Sequence, residues 1–194
     1  MRPRLLAVLA LVGVFLSACG VNSIPRAEEE VKGRWADVQT QYQRRADLIP
    51  NLVATVRGFA AQERAVLTEV TEARARATSI QVDPANAQAV QNFAQAQGAL
   101  SQSLGRLLVV TERYPELRSS EQFMALQNQL EGTENRIAIA RRDYNAAVQA
   151  YNTRIRTFPD LIGARVIYGS QPMTPYQADE AAQRAPTVDF GNQQ

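Results

Sequence analysis

From Ser23 onward the large apolar residues recur seven positions apart, the spacing that lines up one face of a helix. Phe123, Leu130, Ile137, Tyr144, Tyr151 and Phe158 form the longest series, and Leu126, Ala140, Ala147, Val148 and Ile155 widen it into a stripe. This pattern predicts a helix over 119–157, about 57 Å long, opened by a Ser119/Gln122 capping box and stopped at Phe158 by Pro159. Phe93, Leu100, Leu107 and Tyr114 predict another over 84–113, with Asp83 as N-cap, Pro84 in its first turn and Pro115 beyond its end. Leu52, Phe59, Val66 and Ala73 predict a helix over 50–79, entered through Asp47 and Pro50. Val31, Trp35, Val38 and Tyr42 predict the first, over 26–46.

Four amphipathic helices joined by short links can bury their stripes only against one another. The expected fold class is therefore all-α: an elongated antiparallel four-helix bundle over 26–158, its helices crossing at roughly 20°. Trp35, Phe59, Leu100, Leu107, Leu130, Ile137 and Tyr144 are its expected core. Residues 159–194 lack a long period and are punctuated by Gly163, Gly169, Pro172, Pro175 and Pro186, so they read as a partly ordered tail with one short helix near 177–184. Gly132, inside the last helix, suggests a close contact with a neighbouring helix or room for a polar group.

Ahead of these periods lies a different pattern. Arg2 and Arg4 precede twelve uninterrupted non-polar residues, Leu5 to Leu16, then Ser17, Ala18 and Cys19. Twelve helical residues rise about 18 Å against a hydrocarbon core of about 30 Å, so cleavage as an export signal is a better reading than a spanning helix. The sequence Leu16, Ser17, Ala18, Cys19 resembles a bacterial lipobox, which implies a signal peptide over 1–18, lipidation at Cys19 and a short linker over 19–25. The expected location is exported and membrane-anchored. In a Gram-negative cell that means the periplasmic face of the outer membrane, and otherwise the outer face of the cytoplasmic membrane.

Composition narrows the chemistry. The 194 residues include no histidine and one cysteine, which excludes imidazole acid/base catalysis, the usual zinc ligand sets and an internal disulfide. The net charge of +2 comes from 21 basic residues, all arginine except Lys32, and 19 acidic ones; removing 1–18 takes away two arginines and balances the charge. Nothing in that balance favours nucleic acid. Glu131 and Glu134, with Arg141, could share one side of the last helix, but a carboxylate metal site of the bundle type also needs histidine, so Glu–Arg pairing is the expectation. No cofactor, metal or small-molecule ligand is expected, and no catalytic residue is assigned.

The run Arg44, Arg45, Ala46, Asp47, Leu48, Ile49, Pro50, Asn51, Leu52, Val53 resembles the central motif of the LemA family of bacterial envelope proteins. Glu30, Val31, Lys32, Trp35 and Tyr42 are similar to that family's first helix. Leu130, Glu131, Gly132, Thr133, Glu134, Asn135, Arg136 and Ile137 with Arg141, Tyr144 and Asn145 resemble its last-helix motif, and Ala185, Pro186, Val188 and Phe190 its C-terminal signature. The resemblance implies a helical bundle anchored by its N-terminus with its bulk outside the cytoplasm, and it supplies no biochemical activity. It departs at Gln62, where relatives often carry histidine. Arg44, Arg45, Asp47, Asn51 and Phe190 are the candidate partner-binding residues, the first four at a capped helix junction. The expected function is a non-enzymatic scaffold or interaction lipoprotein that docks an envelope protein. A histidine-free hydrolase or peptidoglycan-modifying enzyme, and a membrane-remodelling protein, are the alternatives.

Overall fold

The computed structural model describes residues 22–177. Helix α1 spans Ser23–Phe59, α2 Arg64–Ser79, α3 Ala87–Thr111, α4 Pro115–Arg118, α5 Glu121–Arg154 and α6 Asp160–Gly163, followed by a π-helical turn over Ala164–Tyr168. The described residues are all helix, turn and extended coil, without strands. Helices α1 and α5 run antiparallel along their whole length: Arg154 Nη1 donates to the Ser23 carbonyl at one end, and Leu52 shares a core with Phe123 toward the other. Helices α2 and α3 pack on each other, and α2 also packs on α1.

The first boundary differs from the sequence expectation. Asp47 and Pro50 do not start a second helix; α1 runs through both, and the break comes at residues 60–63. A proline inside a helix removes the amide that would bond to the carbonyl four residues earlier, here that of Ala46, which is buried. Arg74 on α2 supplies the missing donor, its Nε bonding to the Ala46 carbonyl at 2.7 Å. The helix therefore passes its proline without an orphaned buried acceptor, and the same bond fastens α2 to α1.

Continuity of α1 also resets its buried face. Ile49, Leu52, Val53, Val56 and Ala60 line the core, whereas Phe59, expected there from its place in a series of sevens, is 45% exposed. At 3.6 residues per turn it lies about 80° from the centre of that stripe. The series on α5 holds from Phe123 through Tyr151, but Phe158 lies past the helix end and is exposed. Smaller corrections follow from local bonds. Asn86, not Asp83, caps α3, accepting from the Ala89 amide; Asp83 instead accepts from Ala85 in a turn. Ser120, not Ser119, caps α5, accepting from the Phe123 amide. Of the two roles suggested for Gly132, the close contact with a neighbouring helix is not made, while a polar group does lie near: a Cβ there would meet Arg136 Nη1 at 3.6 Å.

After α6, Ala164, Met173 and Tyr176 enter the core, which the lack of period in this stretch did not announce. Met173 and Tyr176 are buried because α5 grips their backbone: Asn152 accepts from the Met173 amide and donates to its carbonyl, and Asn145 does the same at Tyr176. Cys19, Phe190 and nearly all of the short helix expected near 177–184 lie outside the described residues.

Replacing Arg74 with Met is expected to lower stability by about 1–2 kcal/mol, the cost of an unsatisfied buried carbonyl. In a Pro50→Ala background, where residue 50 recovers its amide, the same change should cost distinctly less. Urea unfolding of the four chains measures the difference, and equal losses in both backgrounds would disprove the compensation.

Candidate functional site

Two apolar clusters fill the interior. One is aromatic, built on Trp35, Tyr42, Phe93, Tyr144, Tyr151 and Tyr176; the other is aliphatic, built on Leu52, Val56, Leu67, Leu100, Leu107 and Leu130. Between them lies Arg45, 1% exposed and the one buried charged side chain among the described residues. A buried guanidinium is tolerated only when its donors are matched. Arg45 Nη1 donates to Glu134 Oε1 on α5 and to Ser101 Oγ on α3, each at 2.9 Å. Nη2 donates to the carbonyl of Gln97 at 3.3 Å and also to its Oε1. Gln97 Nε2 continues to the Ala77 carbonyl of α2 at 3.3 Å. The arginine also lies 4.9 Å from the Tyr42 ring centre. This polar layer thus joins α1, α2, α3 and α5.

One side of the layer opens into a cleft of about 590 Å³, lined by Tyr42, Arg45, Gln97, Glu134, Arg141 and Tyr176 among others. Glu134 is its one carboxylate, and its side chain is 51% exposed. Arg141 stacks on Tyr176, 4.3 Å from the ring centre. The Tyr42 and Tyr176 hydroxyls share a hydrogen bond of 2.7 Å, and Tyr144 Oη donates to the Thr174 carbonyl at 2.8 Å. Burial raises all three phenols above their usual value, Tyr144 to about 12. The cleft therefore offers guanidinium and phenol donors around a single paired carboxylate.

The predicted site residues separate. Arg44, Asp47 and Asn51, spaced three and four apart, share the outer face of α1, where Asp47 accepts from Gln43 at 2.7 Å. Arg45, expected beside them at a junction, points the opposite way into the core, because the continuous helix puts position 45 on the stripe with Tyr42, Ile49 and Leu52. Glu134 forms a Glu–Arg pair, but with Arg45 of α1 rather than with Arg141 on its own helix; Glu131 diverges to solvent and accepts from Gln127. Gln62 binds Tyr114 Oη, which donates to Glu63, a second polar knot at the α1–α2 turn. Sequence reasoning missed Gln97, Tyr176 and the two clasping asparagines. A usable signal was present in Asn145 and Asn152, polar residues seven apart directly after Tyr144 and Tyr151.

The profile of the LemA family matches residues 34–190. Magnetosome protein MamQ 2 of Paramagnetospirillum magneticum is 25% identical over 173 residues, covering 79% of this chain and 63% of that protein. Magnetosome protein MamQ of Magnetospirillum gryphiswaldense is 23% identical over 174 residues, covering 79% and 64%. Protein LemA of Metamycoplasma hominis is 22% identical over 137 residues, covering 71% and 60%. The chain thus matches under two thirds of the length of these relatives.

Two outcomes follow from the layer. Glu134→Gln removes the charge partner of Arg45 and should destabilise by about 1–2 kcal/mol, between the values for exposed and buried pairs, while Glu131→Gln should stay within about 0.5 kcal/mol. Denaturant midpoints compare them; equal effects would place no weight on the buried pair. For the phenols, the folded chain keeps protons that the unfolded chain releases above about pH 10. The stability they contribute is complete below that pH and falls as pH rises toward 12. Unfolding free energies measured between pH 8 and 11.5 should decline, less steeply in Tyr144→Phe; identical slopes would contradict the assignment.

Proposed function

The chain belongs to the LemA family, and from that premise we propose that it is a membrane-anchored envelope lipoprotein that acts as a non-enzymatic docking scaffold. The observation that carries this reading is where its buried charge is directed. Every hydrogen bond of Arg45 turns inward onto Glu134, Ser101 and Gln97, holding helices together. A hydrolase built on the same cleft would have to use Glu134 as its base, and that carboxylate is already paired with the Arg45 guanidinium at 2.9 Å. Helices α1 and α5, of 37 and 34 residues, give a rod about 50–55 Å long. Such a rod presents the outer face of α1, with Arg44, Asp47 and Asn51, as a fixed surface to a partner. Relatives named for the magnetosome carry the name of a structure, not of a reaction. No helix among the described residues is long and apolar enough to cross a membrane, so anchoring falls to the segment before Asn22.

Labelled palmitate should be incorporated into the wild-type chain and lost in Cys19→Ala; equal labelling would refute lipidation at Cys19. A photocrosslinker at Arg44 should capture one envelope protein reproducibly in cells, with capture abolished by reversing the charge of Asp47. Turnover of an envelope substrate by the purified chain, without such capture, would overturn the scaffold.

A further inference from the structure

The end of the rod that carries the start of α1 also carries a cluster of exposed apolar side chains. Phe158 is 80% exposed, Ile162 58%, Val166 79% and Ile167 59%. Ile162, Val166 and Ile167 lie on the hook formed by α6 and the π turn, and Phe158 lies just ahead of it; the inner face of the hook is Gly163 and buried Ala164, and a Cβ on Gly163 would meet Ile24 Cδ1 at 3.5 Å. Ser23 Oγ donates to Asp160 Oδ2 at 2.7 Å, and Arg154 pairs with the same carboxylate at 3.5 Å. The hook is therefore held against the first turn of α1 with its apolar side outward. Single exposed apolar residues are ordinary, but a contiguous set on one short segment marks a contact surface.

The chain before Ser23 identifies what that surface meets. Ser23 lies four positions after Cys19, which is preceded by the apolar run Leu5–Leu16. Even fully extended, four residues span only about 14 Å. Whether the anchor is a lipid on Cys19 or the retained apolar run, this end of the rod is confined beside the bilayer. Exposed Arg156 precedes the apolar residues in sequence and exposed Arg165 lies among them, the composition of a segment that seats apolar side chains at the acyl boundary and arginines among anionic headgroups.

We propose that the hook over residues 158–167 is a membrane-docking surface: Phe158, Ile162, Val166 and Ile167 enter the lipid interface and fix how the rod stands on the membrane. The inference rests on the anchored reading above. Two contacts, the anchor and the hook, would hold the axis of α1 and α5 at a set angle, where a lipid on a short linker alone would leave it free to swing.

The test uses the full chain, lipidated in bacterial cells and reconstituted into vesicles of phosphatidylethanolamine and phosphatidylglycerol. With Cys19 acylated, a nitroxide on Val166→Cys or Ile162→Cys occupies the one free thiol, and Met124→Cys places a control at the opposite end of the rod. Both hook positions are exposed, so substitution leaves the fold intact, as far-UV circular dichroism will verify. In vesicles that float with bound protein, the hook labels should favour collision with oxygen over water-soluble nickel chelate several-fold relative to the label at 124. Floating protein whose labels at 162 and 166 are as open to nickel as that at 124 would overturn the inference and leave the anchor standing. Labels shielded from both reagents would also overturn it, assigning the surface to a second copy or to residues 178–194. Failure to float at all would remove the anchor and the inference together.

Discussion

A guanidinium buried at the midpoint of the rod governs how the helices meet. Arg45 lies between two apolar clusters because both its terminal nitrogens find acceptors, and those acceptors come from two helices, α3 and α5, while its Nε has no partner among the described residues. Glu134 fixes the register of α5 against α1, Gln97 fixes that of α3, and Gln97 in turn reaches the Ala77 carbonyl near the end of α2. Apolar stripes can slide by a turn with modest loss, because Leu and Val contacts are alike at successive turns. A single buried ion with directional partners cannot. The layer therefore supplies the uniqueness that the stripes do not.

On either side of that layer the packing differs in kind. The aliphatic side is closed by helix contacts and by the Arg74 bond that lets α1 continue past Pro50. The aromatic side is closed by the chain itself, which returns after α5 so that Tyr176 packs 6.5 Å from Trp35 and 6.2 Å from Tyr42, ring centre to ring centre. The Asn145 and Asn152 clasps satisfy backbone groups of an extended segment that has no sheet or helix to do so. That return places residues 160–168 against the start of α1, so the fold's own closure brings the apolar hook to the end nearest the N-terminal anchor segment.

The helical character was legible because repeats of seven report burial on one face, and Phe93, Leu100, Leu107, Leu130, Ile137, Tyr144 and Tyr151 are buried as the repeats require. The α1 boundary was not. Asp47 and Pro50 carry the local signals of a helix start, and only a residue 24 positions further on, Arg74, removes the penalty that makes such signals reliable. Arg45 misled for a related reason: its neighbour Arg44 is exposed, arginine is seldom buried, and its acceptors lie 52 to 89 residues away. Residues 170–177 have no period because an extended strap held by side-chain amides needs none. Long-range polar satisfaction leaves weak marks on a sequence, whereas apolar periodicity leaves strong ones.

If the Arg45 layer makes one body of two clusters, the halves of α1 must open together. Native-state hydrogen exchange of the full chain reads this directly, by comparing amides of Val38–Tyr42 on the aromatic side with those of Ile49–Val53 on the aliphatic side. The account predicts one common opening free energy in the wild type and two distinct ones in Arg45→Met. Independent opening of the halves in the wild type, or undiminished coupling in Arg45→Met, would contradict it.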